Sequence, residues 1–177
     1  MQPLLTIFAQ LSLQKIKPAI IMVIEIGQTA PNFTLHDTEK NQVSLSGQKG
    51  KNVLLLFFPL AFTGVCTKEL CAVRDDIARY NNANATVFGI SVDSYATLKK
   101  FKAEQGYNFS LLSDFNKEVS AQYGCLYNEF NGWMKGVSKR SAFIIDAAGI
   151  VQYAQILESA GDLPNFEAIN TKLRQLI

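Results

Sequence analysis

The sequence contains few residues of the kinds that bind metals or form disulfides. It has one histidine, His36, and three cysteines, Cys66, Cys71 and Cys125, among 177 residues. The number and spacing of these cysteines fit neither a disulfide framework nor a four-ligand zinc site. An odd number of cysteines suits a reducing compartment, so we expect a cytoplasmic location.

The sequence also has little excess of either charge and no long apolar run. The 17 basic and 15 acidic residues give a net charge of +2, and no long block of like charge occurs. This balance gives no reason to expect nucleic-acid binding. No run of 18 apolar residues without a charge is present, so we expect no membrane-spanning helix.

The length and the apolar content indicate one globular domain, because 177 residues with 48% hydrophobic content suffice for a full core. Residues 1–21 are set apart. Their positive charges, Lys15 and Lys17, follow the apolar stretch, whereas a secretory signal places them before it. We expect a domain over residues 22–177, preceded by an extension that is either a start-site artefact or loosely packed.

The most informative stretch covers residues 57–71. An apolar run ends at Pro59, a short loop with Thr63 and Gly64 follows, and a helical pattern then begins at Cys66. Unpaired N–H groups in the first turn of a helix, together with its dipole, favour a negative charge such as a thiolate. Cys66 is therefore a candidate nucleophile, although a buried, inert thiol is the ordinary alternative.

The elements around Cys66 alternate between strand and helix. The continuous apolar run over residues 53–58 predicts a strand buried on both faces. Alternation of strands and helices predicts parallel pairing, and residues 141–154 predict an antiparallel hairpin. The pattern predicts a thioredoxin-like α/β fold, a central mixed sheet flanked by helices. The other predicted elements are strands at 33–35, 43–45, 86–91 and 109–112, and helices from Cys66 to about 81–84, at 95–105 and at 165–176.

Three positions within residues 57–71 also match the sequence motif of a known family. Pro59, Thr63 and Cys66 form the pattern P-x-x-x-T-x-x-C, which resembles the active-site signature of the peroxiredoxins, thiol peroxidases with a thioredoxin-like fold. Residues 57–71 are similar to the alkyl hydroperoxide reductase E-like branch and to its Q-type (bacterioferritin-comigratory-protein-like) relatives. The similarity runs from about Ile24 to the C-terminus and includes residues 27–33 and 138–146.

The resemblance implies an enzyme that reduces hydrogen peroxide and organic hydroperoxides through a sulfenic acid on Cys66. Thioredoxin or a similar thiol would recycle it. No metal, haem or flavin is implied, and a homodimer is expected. A thiol–disulfide oxidoreductase would normally carry C-x-x-C rather than the C-x-x-x-x-C found here. A redox sensor or holdase on the same fold is the non-enzymatic alternative.

The resemblance also assigns roles to residues near Cys66. The Thr63 hydroxyl is expected to turn toward the sulfur and the peroxide, and Pro59 to shape the loop and shield the site from water. Arg140 matches the family's arginine before a late strand, and Glu69 resembles the carboxylate that orients it. Each residue also has a purely structural explanation. Thr63 is then a turn residue, Arg140 a surface charge, and Glu69 a carboxylate that helix N-termini ordinarily prefer.

Two other groups are weaker candidates near the nucleophile. Arg74 is an alternative cation, but it lies about two helical turns, roughly 12 Å, from Cys66. His36 falls in a polar segment and is expected at a loop or strand edge rather than beside the thiol.

The role of Cys71 stays open at this point. Five residues along a helix advance about 7.5 Å and turn about 140°, which exceeds the reach of a disulfide. A Cys66–Cys71 bond therefore requires the helix to unwind, as in Q-type peroxiredoxins whose resolving cysteine lies in the same helix. The alternative is a one-cysteine enzyme reduced directly by an external thiol. Cys125 is expected in packed structure and is a lesser candidate for resolution.

Overall fold

The apolar run before Pro59 forms the centre of the sheet. In the computed structural model, which describes residues 24–177, this run is strand β3 (Asn52–Phe57), and every residue in it is buried. Leu54 and Leu56 point to one face of the sheet, whereas Val53 and Leu55 point to the other. A strand buried on both faces was predicted, and this prediction is confirmed.

The sheet has seven strands in the order β2-β1-β5-β4-β3-β6-β7. Strand β4 pairs in parallel with β3 and β5, and the remaining pairs are antiparallel. The mixed sheet and the β6–β7 hairpin were both predicted from the sequence. The other strands are β1 (Thr34–Asp37), β2 (Gln42–Ser44), β4 (Ala85–Ser91), β5 (Ser110–Ser113), β6 (Ser141–Ile145) and β7 (Val151–Ile156).

Helices cover both faces of this sheet. On one face Leu70, Phe101 and Ile169 pack into a single core cluster with the side chains of β3. On the other face Phe33, Tyr123 and Phe143 form a second cluster. The helices are α1 (Gly64–Asp75), α2 (Ile77–Asn82), α3 (Tyr95–Gln105), α4 (Glu118–Gln122) and α5 (Phe166–Arg174), with a short 3-10 turn at Ser46–Gln48. None of the helices in residues 24–177 is long and apolar enough to cross a membrane.

The first long helix differs from its prediction. It starts two residues before Cys66, at Gly64, and it is interrupted at Asp76 rather than running to residues 81–84. Asp76 leaves the helical conformation (φ −114°, ψ 21°), and its N–H bonds to the Val73 and Arg74 carbonyls. The apolar spacing stays in phase across this break, so periodicity alone could not reveal it. The prediction for residues 1–21 lies outside the described residues.

Candidate active site

The loop between β3 and α1 carries the sequence motif. Pro59, which is buried, ends the strand directly after Phe58 donates to the Ile90 carbonyl at 2.9 Å. Phe62 adopts a left-handed conformation with φ +63°, unusual for a non-glycine residue, and its ring lies 4.8 Å from that of Phe101. The backbone is thus bent sharply before Thr63, the N-cap residue of α1.

The carboxylate of Asp93, two residues after the end of strand β4, fixes this loop. Its Oδ2 accepts the N–H of Ala61 at 2.8 Å and the hydroxyl of Ser91 at 2.8 Å. The hydroxyl of Ser113 in turn donates to the Asp93 carbonyl at 2.7 Å. The β3–α1 loop is therefore tied to the carboxyl ends of β4 and β5.

Cys66 lies in the first turn of α1 and is 1% exposed. Its sulfur is 3.4 Å from Nη2 of Arg140, whose side chain is also buried. Strand β6 runs antiparallel to β3, and its first residue, Ser141, pairs with Phe57, the last residue of β3. Arg140, which precedes Ser141, therefore lies at the end of β3 where the loop to Cys66 begins. The topology thus brings Arg140 to the thiol across 74 residues of sequence.

A network of hydrogen bonds holds the Arg140 guanidinium. Nη1 donates to the carboxylate of Glu69, one helical turn after Cys66, and Nη2 also donates to the Ala160 carbonyl at 2.9 Å. Glu69 is fully buried and forms an ion pair with Arg140. Glu69 Oε1 and Arg140 Nε, both buried, make no hydrogen bond within the described structure. The structure thus brings Cys66, Glu69 and Arg140 together in one buried cluster.

Burial and charge oppose each other in this cluster. Burial raises the pKa of Glu69 to about 7 although the Arg140 charge acts in the opposite direction. Burial would lower the pKa of Arg140, but the charges of Glu69 and Cys66 outweigh it and raise that pKa. Arg140 is consequently a permanent cation beside the sulfur.

The Thr63 hydroxyl is placed differently from its expected orientation. It donates to the Leu60 carbonyl at 2.9 Å, so its proton points back into the loop rather than to Cys66. The side chain does not cap α1. An N-cap side chain would normally bind the N–H of the second or third helical residue, here Val65 and Cys66, so those donors are left for a ligand.

The other candidates lie away from this cluster. Cys71 is half-buried farther along α1, and its sulfur is 3.9 Å from Oε1 of Gln105. Cys125 is fully buried in the second core cluster, where burial raises its pKa, so it lies in packed structure as predicted. All three cysteines are free thiols.

Arg74 and His36 likewise do not serve the thiol. Arg74 pairs with Asp75 at 2.8 Å and donates to the Gln105 carbonyl. His36 lies exposed on β1, which β5 and β4 separate from β3. Within residues 24–177, no group of three or more His, Cys, Asp or Glu side chains is placed to hold a metal ion.

Comparison with known proteins agrees with this geometry. The family model described as "AhpC/TSA family" matches residues 26–154. The chain belongs to this family. It is therefore a peroxiredoxin-type, thiol-dependent peroxidase with a thioredoxin-like fold, and the sequence predictions of family, fold and enzyme class are confirmed.

Individual relatives of this AhpC/TSA chain point the same way. It is 41% identical to alkyl hydroperoxide reductase E of Mycobacterium tuberculosis over 137 residues, 76% of this chain and 86% of the relative. It is 41% identical to the chloroplastic peroxiredoxin Q of Oryza sativa subsp. japonica over 127 residues, 72% of this chain and 57% of that protein.

Solved structures show the same similarity. The crystal structure of peroxidoxin BcpB from Mycobacterium tuberculosis matches with a TM-score of 0.76 and 30% identity, covering 87% of this chain and 99% of that one. A peroxiredoxin-like protein from Aquifex aeolicus matches with a TM-score of 0.80 and 25% identity, covering 88% and 90%.

Sequence reasoning missed three contributors to this peroxidase site. They are Asp93, which holds the β3–α1 loop, the Ala160 carbonyl, which holds Arg140, and Tyr107, which packs against Cys71 rather than Cys66. The position of Asp93 near the site could have been inferred from the sequence. Asp93 follows β4, and the carboxyl ends of parallel neighbouring strands meet at one edge of a sheet. The Ala160 carbonyl and Tyr107 act through tertiary contacts that no local motif records.

Proposed function

We propose that Cys66 is the peroxidatic nucleophile of this peroxidase and that Arg140 and Glu69 serve it directly. The observation that carries this proposal is the 3.4 Å contact between the buried Cys66 sulfur and Arg140 Nη2 at the start of α1. A fixed cation and the first turn of a helix both favour the thiolate over the thiol. Glu69 orients Arg140 by accepting from Nη1.

The reaction follows from these positions. The Cys66 thiolate attacks the terminal oxygen of the peroxide, the S–O bond forms as the O–O bond breaks, and water or an alcohol leaves after taking up a proton. Arg140 and the N–H groups of Val65 and Cys66 stabilise the negative charge that develops on the peroxide oxygens. Because the Thr63 proton is engaged by Leu60, its oxygen accepts the O–H of the peroxide.

We propose hydrogen peroxide and organic hydroperoxides as substrates. The name of the relative alkyl hydroperoxide reductase E supports the second class. Phe62, on the loop beside the site, is 48% exposed and offers an apolar contact for an organic substituent. Pro59, buried at the base of the same loop, helps to exclude water.

We further propose that Cys71 resolves the sulfenic acid and that thioredoxin or a related thiol protein reduces the resulting disulfide. The two cysteines lie on one helix, so α1 has to unwind before their sulfur atoms meet. The C-x-x-x-x-C spacing of Cys66 and Cys71, which resembles that of Q-type peroxiredoxins, supports this route over a one-cysteine mechanism. Mass spectrometry after one equivalent of peroxide identifies the attacking and resolving thiols together.

Assembly and location are proposals as well. Tyr95 and Phe115 are exposed aromatic side chains that line one cavity of about 620 Å³ together with polar residues. Exposed aromatic side chains surrounded by polar residues are typical of protein–protein contact surfaces, so we propose that a second copy of the chain covers this cavity. An odd number of cysteines suits a reducing compartment, for which we propose the cytoplasm.

Replacing Cys66 with Ser tests the central assignment. A serine hydroxyl has no accessible anion near neutral pH, so we expect peroxide consumption coupled to thioredoxin to be abolished. Cys125→Ala, a change at a buried thiol outside the site, is the matched control and should keep its activity. Residual turnover of Cys66→Ser above about a tenth of the wild-type value would contradict the assignment.

A further inference from the structure

The second half of α1, which carries Cys71, is held by the segment that follows α3. Nη1 of Arg74 donates to the Gln105 carbonyl, and Nδ2 of Asn108 donates to the Arg74 carbonyl at 3.1 Å. The sulfur of Cys71 itself lies 3.9 Å from Oε1 of Gln105. Three polar contacts therefore join the last turns of α1 to residues 105–108, and none of them involves Cys66.

Tyr107 extends the contact between α1 and residues 105–108 into the core. Its side chain is 4% exposed, and its ring packs 5.1 Å from Phe101 and 5.6 Å from Phe109. The buried hydroxyl lies next to the sulfur of Cys71. The half-buried Cys71 thus packs against an aromatic residue that is itself held in the core.

Residues 105–108 are themselves firmly fixed. Gly106 ends α3 in the left-handed conformation (φ +64°), and the N–H of Tyr107 bonds to the Lys102 carbonyl at 3.1 Å. Strand β5, which pairs on both sides within the sheet, starts two residues after Asn108. This segment cannot follow α1 if the helix unwinds, so the contacts between them have to break.

We propose that Arg74, Gln105, Tyr107 and Asn108 form a clamp that keeps the second half of α1 folded and thereby limits how fast Cys71 reaches oxidised Cys66. The proposal rests on the proposed role of Cys71 as the resolving thiol. In that step the Cys71 thiolate attacks the Cys66 sulfur, an S–S bond forms, the S–O bond of the sulfenic acid breaks, and its oxygen leaves as water with the proton that Cys71 gave up.

The clamp has a direct consequence for the fate of the sulfenic acid. While α1 stays folded, Cys66 sulfenic acid persists and a second peroxide can oxidise it to sulfinic acid. Slow unwinding therefore favours overoxidation, and fast unwinding favours the disulfide. The strength of the Arg74 and Asn108 contacts sets the balance between the two outcomes.

Two variants weaken the clamp without touching the reacting atoms. Arg74→Met keeps the aliphatic stem and removes the donor to Gln105, and Asn108→Ala removes an exposed side chain. Arg79→Met is the matched control, because Arg79 is exposed on α2 and pairs with Asp76 at 2.6 Å. Stopped-flow mixing with peroxide measures Cys66 oxidation, and quenched samples analysed by mass spectrometry measure disulfide and sulfinic acid.

We expect Arg74→Met to form the Cys66–Cys71 disulfide about three to ten times faster than wild type, the factor that one lost hydrogen bond allows. Asn108→Ala should show a smaller acceleration, and both variants should accumulate less sulfinic acid under excess peroxide. Hydrogen exchange of the amides at 71–75 should accelerate, while exchange in β3 stays unchanged. Arg79→Met should match the wild type in every measurement.

Two results would overturn the clamp, and they differ from each other. If the disulfide forms in all four proteins at the same rate, the contacts do not limit unwinding, and Cys71 keeps its role as the resolving thiol. If no protein, wild type included, forms the Cys66–Cys71 disulfide, the resolving role of Cys71 fails and the clamp fails with it.

Discussion

At the scale of single residues, the site depends on a buried cation. Arg140 is 1% exposed, its charge is paired with the carboxylate of Glu69, and its Nη2 lies against the sulfur of Cys66. A buried charge is tolerated only when it is paired and hydrogen-bonded, and removing one member leaves the other uncompensated. The three side chains therefore act as a unit, and each is best tested by a change that preserves its shape.

Arg140→Met should slow the attack of Cys66 on peroxide by about one to three orders of magnitude, because a donor to the transition-state charge is lost. Arg140→Lys should restore only part of the rate, since an ammonium group lacks the fork that reaches Glu69 and the sulfur together. Stopped-flow oxidation measures both. Lys139→Met, a neighbouring change at a side chain paired with Glu158, is the control. Unchanged rates in Arg140→Met would assign the cation to another residue.

Glu69 should make the stability depend on pH. Burial raises its pKa in the folded protein to about 7 from an ordinary 4.5. A carboxyl with a raised pKa stabilises the fold fully below its unfolded pKa, and this contribution is lost as the pH rises through the folded value. The unfolding free energy of wild type relative to Glu69→Gln should therefore fall between about pH 5 and pH 8.

Denaturant unfolding at several pH values measures this difference. Glu104→Gln, a change at an exposed carboxylate paired with Lys100 on α3, should leave the pH dependence as in wild type. If the difference in unfolding free energy between wild type and Glu69→Gln stays constant across this pH range, Glu69 has the same pKa in the folded and the unfolded state.

At the scale of elements, the β3–α1 loop positions the chemistry and depends on its neighbour β4. Asp93→Ala leaves the Ala61 N–H and the Ser91 hydroxyl without their acceptor. We expect peroxide oxidation of Cys66 to slow about ten-fold, the effect of leaving partly buried donors without their acceptor. Asp93→Asn retains one acceptor oxygen and should recover much of the rate.

Alkylation by iodoacetamide separates positioning from thiol reactivity in these variants. It needs the thiolate but no aligned peroxide, so Asp93→Ala should alter it far less than peroxide oxidation. Ser113→Ala, which removes only the donor to the Asp93 carbonyl, should behave as wild type. An equal loss in both reactions would mean that Asp93 acts on the thiol and not on the loop.

The elements also show how far the sequence can be read. Helix α3 was predicted with its observed bounds from the spacing of Leu98 and Phe101. In the structure Ser94 caps this helix by accepting from Thr97, and Gly106 ends it in the left-handed conformation. The break at Asp76 and the short helix α4 were not predicted. Lys117, the N-cap of α4, has φ +64°, and the buried carboxylate of Asp114 accepts the N–H groups of Val119 and Ser120. No apolar period marks such a helix.

The site was predictable to the extent that it is local. Pro59, Thr63 and Cys66 fall within one loop and one helix start, so a motif records them. Arg140 required the family resemblance as well, because its contact with Cys66 spans 74 residues and depends on the pairing of β6 with β3. The orientation of the Thr63 hydroxyl could not be predicted, since Thr63 has acceptors within its own loop that compete with the sulfur.

At the scale of the whole molecule, the proposed dimer gives the last prediction. Phe115 is 62% exposed and lines the cavity of about 620 Å³ that Tyr95 also lines. If a second copy covers this surface, sedimentation should give twice the 19.6 kDa of one chain. Phe115→Lys should then shift the protein to monomer, because an interface core disfavours an unpaired charge.

Ile177→Lys, a change at a C-terminal residue that is 81% exposed, is the control and should leave the mass unchanged. A wild-type protein that sediments as a monomer at all concentrations would contradict the dimer and leave the chemistry at Cys66 within one chain.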